Sequence, residues 1–595
     1  MGRNRNEDEY DAVADSIRSF MSYQPIYDIA SLCAHRGLRQ AVLCPGSRCA
    51  PLTLAFARHP DIHARTFSDE RSAAFIAMGI AQRINAPAIL LCTSGSAAYN
   101  FAPAVAEAFF SETPLLVITA DRPPEWIGQH DGQTLHQPDV FGRHVKKSYN
   151  LPVDYDHPDA VWAINRMVNE AINLAVCEPA GPVHINAPFR EPLYPSADVP
   201  FSFDESPRMV EEFAPSYALS DEQKKFITKR LGDFNKILIV AGQVNRDSEL
   251  FATLNEFSRS HNIPVVADII TNLHGLDNIA SHAELFLGNA PGQILELLQP
   301  DLLITFGKSV ISKQVKLFLR KHRPEEHWHI QPAGSVADTF QHVTHVFESQ
   351  PAQFFDFVRS LPVESSFEKQ KQFNFLKLWE VEERRITRLV DEFFPLSELG
   401  EFELVREVIR NLPPQSNLHL ANSMSVRYAN LIGLMAAQQG ITVWANRGTS
   451  GIDGCTSTAV GHSLDTTKTN VLITGDMAFF YDRNAFWHNY NVPDLRVVVL
   501  NNHGGIIFNL IDGPANLPES AEYFVTNQRL TARKLCEEFD FDYLKLDNRR
   551  KMKNLLNDFF ESDGRTKILE IETDQQVNRS IFETFKQKIK QSYES

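Results

Sequence analysis

Short apolar runs of strand length recur along this chain, and most end in a turn of small or polar residues before a helical stretch. Gln40 to Leu43 runs into Cys44-Pro45-Gly46-Ser47-Arg48, and Ala88 to Cys92 into Thr93-Ser94-Gly95-Ser96-Ala97. Pro114 to Ala120 runs into Asp121-Arg122-Pro123-Pro124 in the same way. Strands this short and uniformly apolar are buried on both faces, and helices between them supply the cover, so the pattern predicts parallel α/β sheets. Helical periodicity over Pro25 to Arg36 and a last strand at Val183 to Asn186 complete a first block.

A stretch rich in Pro, Ser and acidic residues, about 188–215, reads as a linker. A second block, about Asp221 to Pro351, has strands at Lys236 to Ala241, Pro264 to Ala267 and Asp301 to Phe306. It resembles a Rossmann-like domain, but only Ala241-Gly242-Gln243 follows its first strand, so no dinucleotide site is expected there. The charged amphipathic stretch from Ser365 to Phe394 predicts a connecting helix. A third block, about Glu401 to Phe585, has strands at Asn417 to Leu420, Thr442 to Trp444, Asn470 to Thr474, Leu495 to Leu500 and Lys567 to Ile571. The expected fold is therefore α/β, with three doubly wound parallel-sheet domains at about 20–195, 215–360 and 395–590. A chain of 595 residues has room for them. The first and third blocks share one strand–turn–helix grammar.

Charge narrows the partners. Lys plus Arg total 58 against 74 Asp plus Glu, a net −16, which argues against a nucleic-acid surface and gives no membrane-binding stripe. No apolar run approaches the roughly 18 residues of a membrane helix. Met1 to Ser16 is polar and lacks the apolar core of a secretory signal, and Asn6 stands where a myristoylation motif after Gly2 wants Ser or Thr. A soluble, cytoplasmic protein without a stable membrane anchor is expected. Seven cysteines at irregular spacing make no disulfide framework, and His327 and His329 on a strand read as structural. Anionic substrates would demand a local Arg and Lys cluster against the global field.

The third block holds Thr474-Gly475-Asp476 and, after an interval, Asn501-Asn502, each following an apolar strand. Asp476 and Asn502 thus fall at carboxyl ends of parallel strands, where open α/β sheets bind ligands. A carboxylate, an amide oxygen and a nearby backbone carbonyl make a hard oxygen site suited to Mg²⁺ holding a diphosphate. Gly504-Gly505 lets the backbone approach phosphate closely.

This pattern resembles the Gly-Asp…Asn-Asn signature of thiamine-diphosphate enzymes. The resemblance implies Asp476, Asn502 and the Gly504 carbonyl as ligands of Mg²⁺, or of Mn²⁺ in its place. It implies Glu70, in Ser68-Asp69-Glu70-Arg71, as the catalytic acid beside the aminopyrimidine ring. Thr93, Ser94, Gly95, Gly475, Met477, Ala478, Gly505 and Ile506 become cofactor contacts, and Ile452 the wedge that keeps the cofactor bent.

Further motifs narrow the resemblance. Pro45-Gly46-Ser47-Arg48, Asp69-Glu70-Arg71, Thr119 to Glu125, Asn446 to Gly454 and Asn501 to Gly505 are similar to one family throughout. It is the 2-succinyl-5-enolpyruvyl-6-hydroxy-3-cyclohexene-1-carboxylate (SEPHCHC) synthase family of menaquinone biosynthesis, transferases of aldehyde and ketone residues. The family decarboxylates 2-oxoglutarate on thiamine diphosphate and adds the succinyl-semialdehyde carbanion to isochorismate. Both substrates are dicarboxylates, and arginine suits them through bidentate, charge-assisted bonds. The resemblance implies Ser423, Arg427 and Arg447 near the succinyl end. It implies Ser47, Arg48, Arg122, Gln133 and Lys313 near isochorismate, with Ile507 and Phe508 lining the pocket. It also implies a homodimer, or a dimer of dimers, whose active sites take Glu70 and Asp476 from different chains.

The chain departs from the family at Met477-Ala478, where Leu-Ser or Leu-Thr is common, and at Cys49, where Ser or Thr is usual. The interval from Asp476 to the Asn pair is one residue short, which bears on choosing Asn502 over Asn501. The alternative is another thiamine-diphosphate 2-oxoacid decarboxylase or carboligase, which would keep Glu70 and Asp476 without the arginine cluster. A non-catalytic scaffold of the same fold would have lost Glu70 or the metal ligands.

Overall fold

A computed structural model describes residues 23–155, 157–191, 193–194, 202–213, 215–361, 366–394, 398–510 and 514–594, with the backbone alone for 366–369. The polar stretch Met1 to Ser16, parts of the predicted linker, Ser365, and residues 20–22, 195 and 395–397 at predicted domain edges lie outside the described residues.

Three six-stranded sheets, parallel throughout, are built in chain order. The first contains β1 (Gln40–Leu43), β2 (His63–Thr66), β3 (Ala88–Cys92), β4 (Leu115–Asp121), β5 (Ser148–Asn150) and β6 (Val183–Pro188). The second contains β7 (Ile237–Ala241), β8 (Val265–Ala267), β9 (Ile279–Ala280), β10 (Leu302–Phe306), β11 (Glu326–Gln331) and β12 (His345–Glu348). The third contains β13 (Asn417–Leu420), β14 (Thr442–Trp444), β15 (Asn470–Gly475), β16 (Leu495–Asn501), β17 (Asp542–Leu546) and β18 (Lys567–Glu572). Their orders are β2-β1-β3-β4-β6-β5, β12-β11-β10-β7-β8-β9 and β14-β13-β15-β16-β18-β17. The first and third sheets therefore share one topology, and the second has the dinucleotide-fold order. Central strands are the apolar ones: every residue of β3, β4 and β16 is buried.

Strand order fixes where ligands can enter. In the first sheet the chain leaves β1 for β2 and returns beside β1 as β3, so a crevice opens between the carboxyl ends of β1 and β3. The matching crevice of the third sheet lies between β13 and β15. In the second sheet the equivalent place, between β7 and β10, is closed by its own loops. Gly242 N–H donates to the Phe306 carbonyl at 2.8 Å and Gln243 N–H to the Ser309 carbonyl at 2.8 Å. A Cβ on Gly242 would lie 2.3 Å from the Lys308 carbonyl oxygen, so only glycine permits this closure.

By internal packing the chain forms two compact units. One comprises the described residues up to Ala214 with Asn446–Thr466 and Asp482–Asn491; the other comprises Pro215–Ala445, Thr467–Tyr481 and Val492–Ser595. Two segments of the third block thus pack with the first. The cause is local. Helix Glu70–Ile84 crosses helix Cys455–Ser463 at two glycines, where a Cβ on Gly79 would lie 2.3 Å from the Thr458 carbonyl oxygen and one on Gly461 2.2 Å from that of Ile76. Asp482 takes the N–H and hydroxyl of Ser457 at 2.6 Å each, and Asn484 donates to Asp69 at 2.7 Å. In the other unit one apolar cluster runs from Leu238 and Val240 through Trp379 and Ile386 of the long helix Ser366–Phe393 to Val471 and Val498. His327 and His329 lie inward and meet on the Thr305 hydroxyl at 2.7 and 2.8 Å.

Candidate functional site

In the first unit the candidate residues follow β1, β2 and β3, around the crevice between β1 and β3. Glu70 is the first residue of its helix, because Asp69 caps the helix by accepting from Ser72 N–H at 3.1 Å. The Asn100 amide donates to Glu70 Oε2 at 3.2 Å and holds the half-buried carboxyl. Gly46 crosses so close to Thr93 that a Cβ would lie 2.3 Å from the Thr93 Cβ, which brings the Ser47-Arg48 turn against the Thr93-Ser94-Gly95 turn. Ser94 is buried, and its hydroxyl has no protein partner. Gly95, at φ +86°, packs on Gln133, whose Cα is 3.2 Å from where a Cβ would stand.

Arg48 and Arg122 form a cationic pair in this unit. Arg48 is 5% exposed and donates to the Phe189 carbonyl at 2.9 Å and to Glu191 at 3.3 Å. Burial, and after it the charge of Arg122, pull the Arg48 guanidinium below its ordinary pKa. Arg122 follows β4 and faces Asp131 at 3.4 Å and the Gly132 carbonyl at 3.2 Å. Two guanidinium groups near enough to oppose each other suit an anionic ligand. Arg447 and Ile452 belong to the same unit, in a loop gripped by a buried acid. Glu107, 1% exposed, accepts from the N–H groups of Gly448 (2.7 Å), Thr449 (2.7 Å) and Ser450 (3.3 Å) and from the Thr449 hydroxyl (2.8 Å).

The second unit carries the candidate diphosphate and metal residues. Asp476 follows β15 and is buried; the Gln528 amide donates to its Oδ2 at 2.7 Å, and burial pushes its pKa up to about 6. The two asparagines at the end of β16 differ sharply. Asn501 is engaged at both ends: its amide donates to Glu570 (2.8 Å) and the Leu530 carbonyl (2.9 Å), and its oxygen accepts from Gln528 (3.1 Å) and His503 N–H (3.2 Å). Asn502 donates to Glu401 Oε1 at 2.8 Å, while its Oδ1 is buried without a protein partner. Burial, with the Asp476 charge adding, pushes Glu401 up to about 8. An orphaned amide oxygen and carboxyls held up by burial fit the ligand set of a hard cation.

The surrounding backbone fits a diphosphate as well. A Cβ on Gly475 would meet nothing within 4 Å, so this turn opens on free space beside Met477 and Ala478. Gly505 N–H is taken by the Val525 carbonyl at 2.7 Å, fixing the Gly504-Gly505 loop ahead of Ile506 and the short helix Ile507–Leu510 that includes Phe508. Ser423, at φ +71°, starts helix Met424–Ile432, and Arg427 one turn on donates to the Ser423 carbonyl at 2.6 Å. Lys313 is exposed at the first position of helix Lys313–Lys321.

The first unit thus places Ser47, Arg48, Glu70, Thr93, Ser94, Gly95, Arg122 and Gln133 after the carboxyl ends of β1, β2, β3 and β4, with Arg447 and Ile452 in the loop held by Glu107. The second groups Asp476, Met477, Ala478, Asn502, Gly504, Gly505, Ile506, Ile507 and Phe508 at the carboxyl ends of β15 and β16, and Ser423 with Arg427 after β13.

Comparison with known proteins identifies the family. Residues 27–140 match the family model "Thiamine pyrophosphate enzyme, N-terminal TPP binding domain", and residues 215–420 match "Middle domain of thiamine pyrophosphate". The 2-succinyl-5-enolpyruvyl-6-hydroxy-3-cyclohexene-1-carboxylate synthase of Cytophaga hutchinsonii is 44% identical over 571 residues, 96% of this chain and 100% of that protein. The synthases of Flavobacterium johnsoniae and Phocaeicola vulgatus are 38% and 36% identical, over 92% and 94% of this chain and 95% and 96% of their own lengths. The chain belongs to the SEPHCHC synthase family. Its fold is accordingly the α/β fold of thiamine-diphosphate enzymes, and no helix among the described residues is long and apolar enough to cross a membrane.

Several residues that hold these loops carry no motif. Glu107 and Glu401 hold backbone N–H and amide groups of other residues, and Gln528 donates its own amide to the Asp476 carboxylate. Asp268 is the fourth. Buried after β8, its carboxylate accepts from Ile311 N–H (2.6 Å), Ser312 N–H (3.1 Å), the Ser312 hydroxyl and the Asn430 amide (3.1 Å). It therefore ties the turn before Lys313 to the helix that carries Arg427.

Proposed function

We propose that this chain catalyses the thiamine-diphosphate-dependent decarboxylation of 2-oxoglutarate and transfer of the remaining four-carbon unit to isochorismate, giving SEPHCHC and CO₂ for menaquinone biosynthesis. The observation that carries this reading is the correspondence with the Cytophaga hutchinsonii synthase over 96% of the chain. Bound thiamine diphosphate supplies the nucleophilic carbon and the electron sink that decarboxylation needs. The rest falls to the protein. Glu70 holds and exchanges a proton at its carboxyl beside the cofactor ring, kept in place by Asn100. Asp476, the Asn502 amide oxygen and the Gly504 carbonyl hold Mg²⁺, which Mn²⁺ can replace, and Ile452 supports the cofactor. Asn502 is preferred to Asn501 because its oxygen alone lacks a protein partner.

Ser423, Arg427 and Arg447 take the 2-oxoglutarate carboxylates, and Ser47, Arg48, Arg122, Gln133 and Lys313 receive isochorismate, with Ile507 and Phe508 as apolar lining. The opposition between Arg48 and Arg122 supports the second assignment, since a bound dianion relieves it. Three domains, at about 20–195, 215–360 and 395–590, act in the cytoplasm within a homodimer or dimer of dimers, each active site combining Glu70 of one chain with Asp476 of another. The deciding assay follows isochorismate consumption with thiamine diphosphate, Mg²⁺ and either 2-oxoglutarate or pyruvate. Consumption with 2-oxoglutarate alone is expected; equal turnover with pyruvate would favour a general 2-oxoacid carboligase.

A further inference from the structure

Glu401 is a buried acid that no motif of the reaction includes. It is the first residue of helix Glu401–Arg410 and 1% exposed, so it is not a solvated helix-end charge. Its surroundings tie three parts of the third sheet together. Its own N–H donates to Asn578 Oδ1 at 3.1 Å, the Asn578 amide donates to the Thr573 hydroxyl at 2.7 Å, and Glu401 Oε1 accepts from Asn502 Nδ2 at 2.8 Å. The Asn502 backbone is held as well, its carbonyl accepting from Gln575 at 2.9 Å.

An asparagine amide can turn over and exchange its oxygen for its nitrogen, and only its hydrogen-bond partners select the orientation. At Asn502 the selecting partner is Glu401. With the nitrogen committed to Oε1, the oxygen is the end left buried and unpaired, at the carboxyl end of the strand next to the one that Asp476 follows. We propose that Glu401 is a positioning residue for the divalent cation: it pins the Asn502 amide so that Oδ1, not Nδ2, is presented to the metal. This rests on the reading of Asn502 as a metal ligand. Partners of this kind orient ligands without touching the ion, and losing one typically weakens metal binding about 10–100-fold.

The test uses the full-length protein with thiamine diphosphate and reads Mn²⁺ affinity by electron paramagnetic resonance, with thermal unfolding of each variant as the check on folding. Glu401→Gln keeps an acceptor oxygen at the same reach and is expected to bind Mn²⁺ within a few-fold of wild type. Glu401→Met removes the acceptor, and Glu401→Asp withdraws it by one methylene while keeping the charge; both are expected to weaken Mn²⁺ by about 10–100-fold. If the Met variant does not fold, the Asp and Gln variants decide between them. Wild-type affinity in the Met or Asp variant would overturn the proposal, and so would a Gln variant as weak as Asp, since charge rather than position would then matter. Asn502→Ala separates the underlying reading. Undiminished Mn²⁺ binding there would remove Asn502 as a ligand, whereas weakened binding there with no Glu401 effect would sink this inference alone.

Discussion

Replacing Glu107 with Gln tests how the loop carrying Arg447 is held. In the native protein Oε1 accepts one N–H, from Gly448, and Oε2 accepts two N–H groups and a hydroxyl, from Thr449 and Ser450. A glutamine can keep its oxygen at the Oε2 position, but its NH₂ then faces the Gly448 N–H, donor against donor. One bond to a charged acceptor is lost, about 1.5–3 kcal/mol, and the three that remain fall towards neutral strength. Together these cost about 3–5 kcal/mol of loop stability. The loop can open without unfolding the sheets, and about 3 kcal/mol is roughly a hundredfold in that opening equilibrium. Hydrogen exchange read by mass spectrometry on peptides spanning 446–454 should therefore accelerate about a hundredfold or more. Peptides over β3 and β4 should not change, and the KM for 2-oxoglutarate should rise because Arg447 immediately precedes the released residues. Unaltered exchange in the loop would refute the argument that Glu107 anchors it.

Glu70→Gln should lower turnover by about 10²–10⁴ without lowering the unfolding temperature, and a near-wild-type rate would remove Glu70 as the activating acid. Arg427→Lys and Arg447→Lys should each weaken 2-oxoglutarate by about 1.5–3 kcal/mol while sparing thiamine diphosphate, measured by separate titrations; equal weakening of both ligands would place these side chains elsewhere. Mixing Glu70→Gln chains with Asp476→Ala chains should restore roughly a quarter of wild-type activity, because a shared-site heterodimer keeps one intact site, and verified heterodimers with no activity would exclude sharing. His282 gives a pH signature: burial disfavours its charged ring, but the Glu383 carboxylate at 2.7 Å and the charge of Asp391 outweigh that and lift its pKa above 6.5. The stability it contributes is complete below 6.5 and lost as pH rises through the lifted value, so the unfolding temperature should decline over that range in wild type and not in His282→Gln.

What could be read ahead of the structure follows burial. The interior strands β1, β3, β4, β7, β10, β15 and β16 are continuous apolar runs, because helices cover them on both faces. Of the strands that gave no apolar run, β2, β5, β9, β12 and β17 stand at sheet edges, where one side has no neighbour and sequences such as His63-Ala64-Arg65-Thr66 suffice, while β11 is interior and buries His327 and His329 against the Thr305 hydroxyl. Candidate site residues could be named from the sequence at strand–turn junctions, because a turn that approaches a ligand restricts its residue types. Glu107, Asp268 and Glu401 were not. A lone acid among apolar helical or strand residues reads like a solvent-facing charge, and only folding brings its distant N–H and amide partners to it.

The Asp268 carboxylate has a consequence for how this enzyme could change. One buried group fixes both the turn that launches Lys313 and the helix that presents Arg427. The span between these two cations is therefore a single inherited dimension rather than two adjustable ones. Substitutions near either arm should combine non-additively, each altering what the other is worth. Under the proposed assignment Arg427 serves 2-oxoglutarate and Lys313 isochorismate, so a homologue that changed the size of either substrate would have to reset that shared anchor, and such changes should arrive as coupled sets of replacements rather than one at a time.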